Sequence, residues 1–525
     1  MNLTQKYFTL VFLFLIAFFY KGISQSLFLN NDKNSTICYE YNIYQNPNNH
    51  TNIRPLLINE VYNSNYFDSS YFKVNNNKTF NWLTNKNLIY LKNKNNGLII
   101  NPVLTNLYNS DNKYFTENGL QTNAWLGKNI AFSLTYSYIA FKPSNEVKSF
   151  SDSTGFVPHF GKADISNEYT LLHNVTGSVS WQVADFMNLQ IGRDKSFWGD
   201  GYRSLLLSDN SNAYPFFKGT VNIWKVKYVI LYSFLKERKF SDNNSPLENK
   251  YSASHILSWN IGKRLNFNMF ETVIWKGKDS LGNRGFDVNY LNPIIFYRPV
   301  EFSLGSPDNV IMGFGGRLRL FKTTHLYGQF LLDEFKLSEL KANKGWWANK
   351  FGIQAGIKTF NLFRIKNLYA LCEVNVVKPF TYSHTSYMDN YGNYSQPLAH
   401  PLGANFAEGI ANIRYQKNRW EINSLVKIYV IGVDYDTINA GNNIYRSYLD
   451  NVNEYGNKLF QGDKHKITSI EITMGYILNP KWQLSVRIGF RRIMEHLYNH
   501  TSFNTYQNTI FFGLYTAIGN REGLY

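Results

Sequence analysis

Ile470-Glu471-Ile472-Thr473-Met474-Gly475-Tyr476-Ile477-Leu478, Asn479-Pro480-Lys481, then Trp482-Gln483-Leu484-Ser485-Val486-Arg487-Ile488-Gly489-Phe490-Arg491: residues 470–491 hold a complete β-hairpin with two unlike faces. Side chains on a strand point alternately to opposite faces. Ile470, Ile472, Met474, Tyr476 and Leu478 therefore share one side, and Trp482, Leu484, Val486, Ile488 and Phe490 continue it on the return. The other face carries Glu471, Arg487 and Arg491. Between the two arms Pro480 fixes φ and Asn479 tolerates turn conformations, so Asn479-Pro480-Lys481 is read as the turn. A soluble sandwich also alternates. Strands of about ten residues with aromatics at their ends, however, have the length and dressing of membrane-spanning β-strands.

The composition extends that reading to the whole chain. A length of 525 residues would ordinarily suggest several domains. Here aromatic residues make up 17%, charged residues only 17% and hydrophobic residues 44%, with a slightly negative mean hydropathy. That mixture is expected when half of each strand faces lipid and half a polar lumen. The formal charge of +17 admits nucleic acid, an anionic membrane surface or an acidic extracellular polymer as partner. No zinc-finger spacing, RNA-binding aromatic motif or dense basic tract is present, so nucleic acid is set aside. Lys6 followed by the apolar run Tyr7–Tyr20 and by Gly22-Ile23-Ser24 reads as a signal peptide over residues 1–24, cleaved before Gln25. No Cys directly follows the apolar core and no later segment approaches 18 uninterrupted apolar residues. An exported chain with membrane-type strands implies a bacterial outer membrane, with its lipid and lipopolysaccharide as surroundings; a monomer is expected. Of the two cysteines, Cys372 falls with Val374 and Val376 on an apolar face opposite Glu373 and Asn375, while Cys38 precedes the strands, so no disulfide is expected.

Residues 25–95 are Asn-rich and poorly periodic, with one helical turn conceivable over Ile58–Tyr62; they read as a periplasmic segment packing on or into the barrel mouth. Residues 96–525 read as the outer-membrane β-barrel, an all-β transmembrane antiparallel barrel of about 18 strands. Strands are expected over 96–109, 114–126, 130–141, 170–183, 186–195, 216–224, 227–236, 254–262, 265–275, 309–320, 325–334, 351–361, 367–378, 405–415, 420–432, the opening hairpin and 508–518. Short turns alternate with long polar loops, the longest near 143–168, 197–215, 276–308, 379–404 and 433–464; only Ser110–Lys113 breaks the rhythm. Short turns on one side and long loops on the other place the short turns in the periplasm.

Three constellations in the sequence bear on chemistry. Arg193, Asp194 and Lys195 lead into Ser196-Phe197-Trp198-Gly199-Asp200-Gly201-Tyr202-Arg203, where two glycines around an Asp allow a sharp turn. This loop is expected to fold inward as a lumen plug, its charges (Arg193, Asp194, Asp200, Arg203) joined to Arg317, Arg319 and Arg487 on the polar faces, with Glu421 beside them. A catalytic carboxylate would need a second carboxylate and an activated base that the sequence does not place. Asp434, Asp436 and Asn439 have calcium-loop spacing, but Asn439 and Tyr445 occupy the positions where an EF-hand needs Gly and Glu. No histidine pair has zinc spacing, and neither a nucleophile elbow nor a phosphate loop occurs. No metal, cofactor or catalytic residue is therefore assigned, and the chain reads as a non-enzyme. Aromatics in the long loops, Trp198, Tyr202, Trp346, Trp347 and Tyr391 with Lys344 beside them, could stack on sugars of an acidic extracellular polysaccharide; a membrane-interface girdle is the competing explanation.

The stretch Gly192-Arg193-Asp194-Lys195-Ser196-Phe197-Trp198-Gly199-Asp200-Gly201, running on to Leu205-Leu206-Leu207-Ser208-Asp209-Asn210, resembles the Wzi-like capsule-assembly family. Leu291-Asn292-Pro293 through Phe302, and Tyr327-Gly328-Gln329-Phe330 to Phe335, resemble its RemB-like relatives of gliding bacteria. The resemblance implies an eighteen-stranded outer-membrane barrel with a non-enzymatic role in tethering or assembling surface (capsular) polysaccharide, linked to gliding motility in those relatives. A porin-like channel for small solutes is the alternative, since eighteen strands enclose room for water.

Overall fold

The computed structural model describes residues 40–56 and 81–519, apart from 112, 163, 166–168, 240–241, 243–244, 280–281, 294–307, 436 and 499–503. The expected leader, Cys38 and the turn at Ile58–Tyr62 lie outside the described residues. Alternating runs of 8 to 17 residues pair edge to edge, and eighteen strands close into one antiparallel barrel. In chain order they are β1 (Asn96–Asn109), β2 (Tyr114–Leu126), β3 (Ile130–Phe141), β4 (Thr170–Ala184), β5 (Met187–Asp194) and β6 (Tyr214–Ile223). Next come β7 (Val226–Glu237), β8 (Glu248–Ile261), β9 (Leu265–Lys276), β10 (Asn309–Arg319), β11 (Thr324–Glu334) and β12 (Lys350–Phe360). The last six are β13 (Leu368–Val377), β14 (Phe406–Lys417), β15 (Trp420–Val433), β16 (Asp463–Asn479), β17 (Leu484–Leu497) and β18 (Asn504–Thr516).

Closure brings β18 back to β1. Their shared register runs only from Phe511↔Asn109 to Leu514↔Asn106, whereas β17 and β18 pair from Leu484↔Thr516 to His496↔Asn504. Threonines extend the seam: Thr516 Oγ1 accepts from the Leu104 amide at 3.0 Å, and Thr105 Oγ1 accepts from the Thr516 amide at 3.1 Å.

The two faces separate as the alternation requires. Ile472, Met474, Ile488 and Phe490 are exposed on the outside, while Glu471 and Arg491 pair at 2.6 Å inside. Exposed Trp224, Phe321, Phe363, Trp420 and Tyr476 stand at or near the short-turn rim, Trp420 and Tyr476 packing edge to face at 4.9 Å. That is the aromatic dressing of a membrane interface. Cys372 lies on the exposed side and Glu373 and Asn375 on the buried side, as the alternation predicts.

The opening hairpin departs from its pattern at one point. Trp482 and Leu484, expected on the outward apolar face, are buried. The register shifts between Ile477 and Asn479, so the turn tightens over 480–483. The helix Asn81–Asn85 then packs below it, with Asn479 donating to Leu83 O (2.8 Å) and Lys86 O (3.0 Å). Residues Ile89–Asn93 pair back on Asn96–Ile100 and lengthen the rim at β1.

Two outer connections do not stay outside. Leu205, Leu206 and Leu207 from the β5–β6 loop, and Tyr382, Tyr391 and Leu398 from the β13–β14 loop, pack against the inward faces of Leu231, Ile256, Phe270, Ile311, Leu331 and Val377. The barrel's main apolar core is thus built from folded-in loops.

Candidate functional site

Inside the barrel three segments of one chain meet. Residues 40–56 enter the lumen, Ile53–Arg54 pairing as a short strand with Phe197–Trp198 of the β5–β6 loop. Gly199 donates its amide to Asn52 O at 2.7 Å, and its φ of 159° brings the following Asp200 round toward this segment. A Cβ on Gly199 would collide with the Gln329 side chain. Asp200, almost fully buried, accepts from Tyr44 Oη at 2.6 Å and Thr51 Oγ1 at 2.5 Å, and Arg317 of β10 lies 4.0 Å away. Arg317 also donates to Thr51 and stacks 4.7 Å over the Tyr44 ring; Arg319 donates to Tyr44 O. Lys358 donates to Tyr44 Oη at 2.9 Å and sits 3.8 Å from Glu40, which is paired with Arg54. His50 Nδ1 lies 2.8 Å from Ser258 Oγ, which donates to Asn52 Oδ1 at 3.0 Å. Buried charges are tolerated when paired and further hydrogen-bonded, and each of these is.

One layer further, Glu373 receives the amides of Tyr202 (2.7 Å) and Arg203 (3.0 Å) and the Tyr327 hydroxyl (2.8 Å). Arg203 reaches Glu408 at 3.4 Å, and His400 Nε2 lies 2.7 Å from the same carboxylate. Across the lumen Glu421 holds Arg414 and Arg487, each at 2.8 Å, and Arg487 stacks 4.0 Å over Tyr515. Of the expected charges, Asp200, Arg203, Arg317 and Arg319 thus converge, whereas Arg487 and Glu421 form a separate pair on the far wall. Arg193 bonds Val175 O and, at 3.5 Å, Asn212; Asp194 accepts the Lys195 amide at 2.8 Å.

The loop aromatics divide. Trp198 and Tyr391, read above as faces for sugar, are 0% and 1% exposed. Trp198 packs on Phe270 at 5.8 Å, and Tyr391 stacks on Tyr382 and donates to Leu206 O at 2.7 Å. Neither ring has a free face, because their loops turn inward. Tyr202 is half-buried, with Arg203 5.2 Å over its ring. Trp346 and Trp347 sit on the β11–β12 loop, 6.4 Å apart and half-exposed. Lys336 lies 5.5 Å over Trp346, Tyr448 packs on Trp347 at 4.8 Å, and Lys344 is exposed beside them.

For residues 40–56 the sequence supplies only a place on or in the barrel mouth, for Glu373 only its face of the strand, and Glu408, His400 and Lys358 are not marked by any motif. Glu373 and Glu408 sit at inward positions of alternating strands, which was a usable signal. Residues 40–56 show no periodicity and gave nothing finer. Asp389, in the β13–β14 loop, is buried with Lys276 3.9 Å away. Burial, with repulsion from Asp308, pushes its carboxyl up to about 6 against the pull of Lys276 and Lys250. Among the described residues no group of three or more His, Cys, Asp or Glu side chains is placed to hold a metal.

No family model and no curated protein sequence matches this chain. Among solved structures it is similar to Wzi of Escherichia coli, described as an outer membrane protein involved in group 1 capsule assembly and a carbohydrate-binding β-barrel. The TM-score is 0.55 at 11% identity, over 94% of this chain and 100% of that one. It is also similar to OccAB2 of Acinetobacter baumannii (TM-score 0.43, 10% identity, 79% of this chain and 97% of that one) and OprD of Pseudomonas aeruginosa (0.42, 8%, 84% and 98%). At such identities the likeness speaks for fold alone: the chain is a closed, eighteen-stranded antiparallel β-barrel of the outer-membrane kind.

Proposed function

We propose that this barrel tethers or helps assemble polysaccharide at the cell surface, in the manner of a Wzi-like protein and without catalysis. The observation that carries the reading is the lumen: between β6 and β14 it is filled by residues 40–56 and two inward loops, cross-linked by buried ion pairs. A barrel packed in that way serves poorly as a wide solute path and well as a rigid platform for its remaining outer loops. On that platform Trp346 and Trp347, with Lys336 and Lys344, offer aromatic faces beside cations, suited to an acidic glycan. The carbohydrate binding stated for Wzi supports the same reading. The signal peptide over residues 1–24, entry of residues 40–56 into the lumen from the periplasmic mouth, a monomeric state and a link to gliding belong to this proposal too.

The test is a gene deletion complemented with wild type or with Trp346→Ala/Trp347→Ala, followed by quantitative staining of surface polymer. Loss on deletion, and a several-fold loss with a folded double variant, is expected. Full surface polymer in the deletion strain would sink the proposal and leave the porin-like channel as the reading to pursue.

A further inference from the structure

The outside of the barrel carries a second feature, independent of the lumen and of the polysaccharide reading. On β16, β17 and β18 the even-numbered residues face outward: Ile472, Met474, Val486, Ile488, Phe490, Ile510 and Phe512 are all exposed. The register is unbroken from these residues to the extracellular strand ends, where His465↔Leu497 and His496↔Asn504 are paired. The same outward parity therefore places Lys464, Lys466, Arg492 and His496 on the outer wall, with Tyr498 and Tyr506. Lys466 and Arg492 are exposed. Lys466 pairs directly with His496, and Arg492 lies two positions beyond Phe490.

Height decides what this patch meets. Tyr476, with Trp420, marks the interface at the short-turn rim. Lys466 is ten positions along β16 from Tyr476. At ~3.4 Å per residue and a strand tilt of roughly 40° that is about 26 Å along the membrane normal, and the apolar band of such barrels is about 25 Å tall. Lys466 and His496 thus stand at the level of the outer-leaflet headgroups. Arg492 starts lower, and its long side chain can extend upward to the same level.

The charges there are neither diluted nor neutralised. Outward positions 464–470, 490–496 and 504–510 hold no carboxylate. Glu471 and Glu495 alternate inward, where they face Arg491 (2.6 Å) and His465 (3.0 Å). Aromatic rings brace the cations: Lys464 lies 4.8 Å over Tyr498 and 5.7 Å over Phe460, and Arg492 lies 5.7 Å over Tyr506. His496 Nδ1 is 2.7 Å from Asn504 Oδ1.

We infer that Lys464, Lys466 and Arg492, on the outer wall of β16 and β17, form a docking site for the phosphate groups of an outer-leaflet lipopolysaccharide molecule. The occupant is a lipid rather than a soluble anion, because the cations continue upward from an apolar wall that acyl chains would cover. Phosphate, a compact double-charged acceptor, matches three cations whose donors rise from adjacent strands.

The test uses the full chain purified in detergent, titrated with lipid A bearing both phosphates, with lipid A stripped of phosphate, and with inorganic phosphate, binding being read by native mass spectrometry. Diphosphoryl lipid A should bind wild type at least ~30-fold more tightly than K464A/K466A/R492A, each cation contributing several-fold. The charge-keeping K464R/K466R/R492K should bind like wild type, and removal of Lys225 and Lys263 from the opposite rim should change nothing. Binding to wild type should also weaken as salt is raised, a reading that holds even if the triple variant does not fold. Equal binding of phosphate-free lipid A, salt-independent binding, or displacement by millimolar inorganic phosphate would overturn the assignment.

Discussion

Asp200 and Asp389 are both buried carboxylates in opposite circumstances. Asp200 accepts two hydroxyl hydrogen bonds and faces Arg317. Asp200→Ala leaves Arg317 and Lys358 without their shared anion and should cost about 3 kcal/mol, as removal of one partner from a buried pair does. A lowered thermal midpoint in detergent is the check. Asp389 has only Lys276 at 3.9 Å, and its carboxylate oxygens accept no hydrogen bond within the described structure. Its folded value of about 6 lies above the ordinary 3.8. The folded loop therefore keeps its proton to higher pH than the unfolded chain does. The stability this confers is complete below about 4 and is lost as pH rises through 6. Resistance of the β13–β14 loop to protease should fall over that window, and Asp389→Asn should hold the low-pH resistance at pH 7. Trp198 and Tyr391 show where reading single residues ran out. Their identity suggested sugar-stacking faces, but burial of a loop residue depends on where the loop goes, and nothing local records that.

Strands were legible because lipid on one side and polar lumen on the other impose a period of two along the chain. The misses lie where that contrast fades. β8 begins at Glu248, six residues before the expected 254, and so takes in Lys250. That lysine is wholly buried, donating to Asn390 O and Oδ1 at 2.8 Å, and its partner lies far away in sequence. β16 and β17 likewise run past the expected bounds, to Asp463 and Leu497, where polar and apolar residues are mixed on both faces and the alternation fades. Residues 40–56 illustrate the limit: they take their shape from lumen groups such as Asp200, Ser258 and Lys358 rather than from any pattern of their own. Deleting residues 40–56 should convert a barrel with little steady conductance in planar bilayers into one with stable ionic current. An unchanged trace would mean that the inward loops close the lumen without it.

The alternation of short and long connections leads to the expectation that the short-turn rim faces the periplasm, and the eighteen-strand count agrees with the closed barrel. An epitope inserted at Lys128, in the Gly127–Asn129 turn, should be unreachable by antibody on intact cells. The same epitope at the exposed Leu449 of the β15–β16 loop should be reached. The reverse result would invert the barrel. What the rhythm could not convey is which long loops turn inward, because that is settled by pairing between segments more than a hundred residues apart, such as Tyr202 with Glu373.

The short ladder between β1 and β18 gives this molecule a clasp. Those strands are about four hundred residues apart in the chain, so bringing them together carries the largest loop-closure entropy of any pairing in the barrel, and the fewest backbone bonds reward it. Gly513 sits on the clasp at φ 151°, and a Cβ there would run into the Asn106 carbonyl oxygen. Gly513→Ala should leave a chain that inserts yet fails to latch, seen as loss of the compact, heat-modifiable band on an unboiled gel. A cylinder without such a weak line would have no preferred place to begin or finish. This one has a last stitch, and by the same reasoning a first place to come undone.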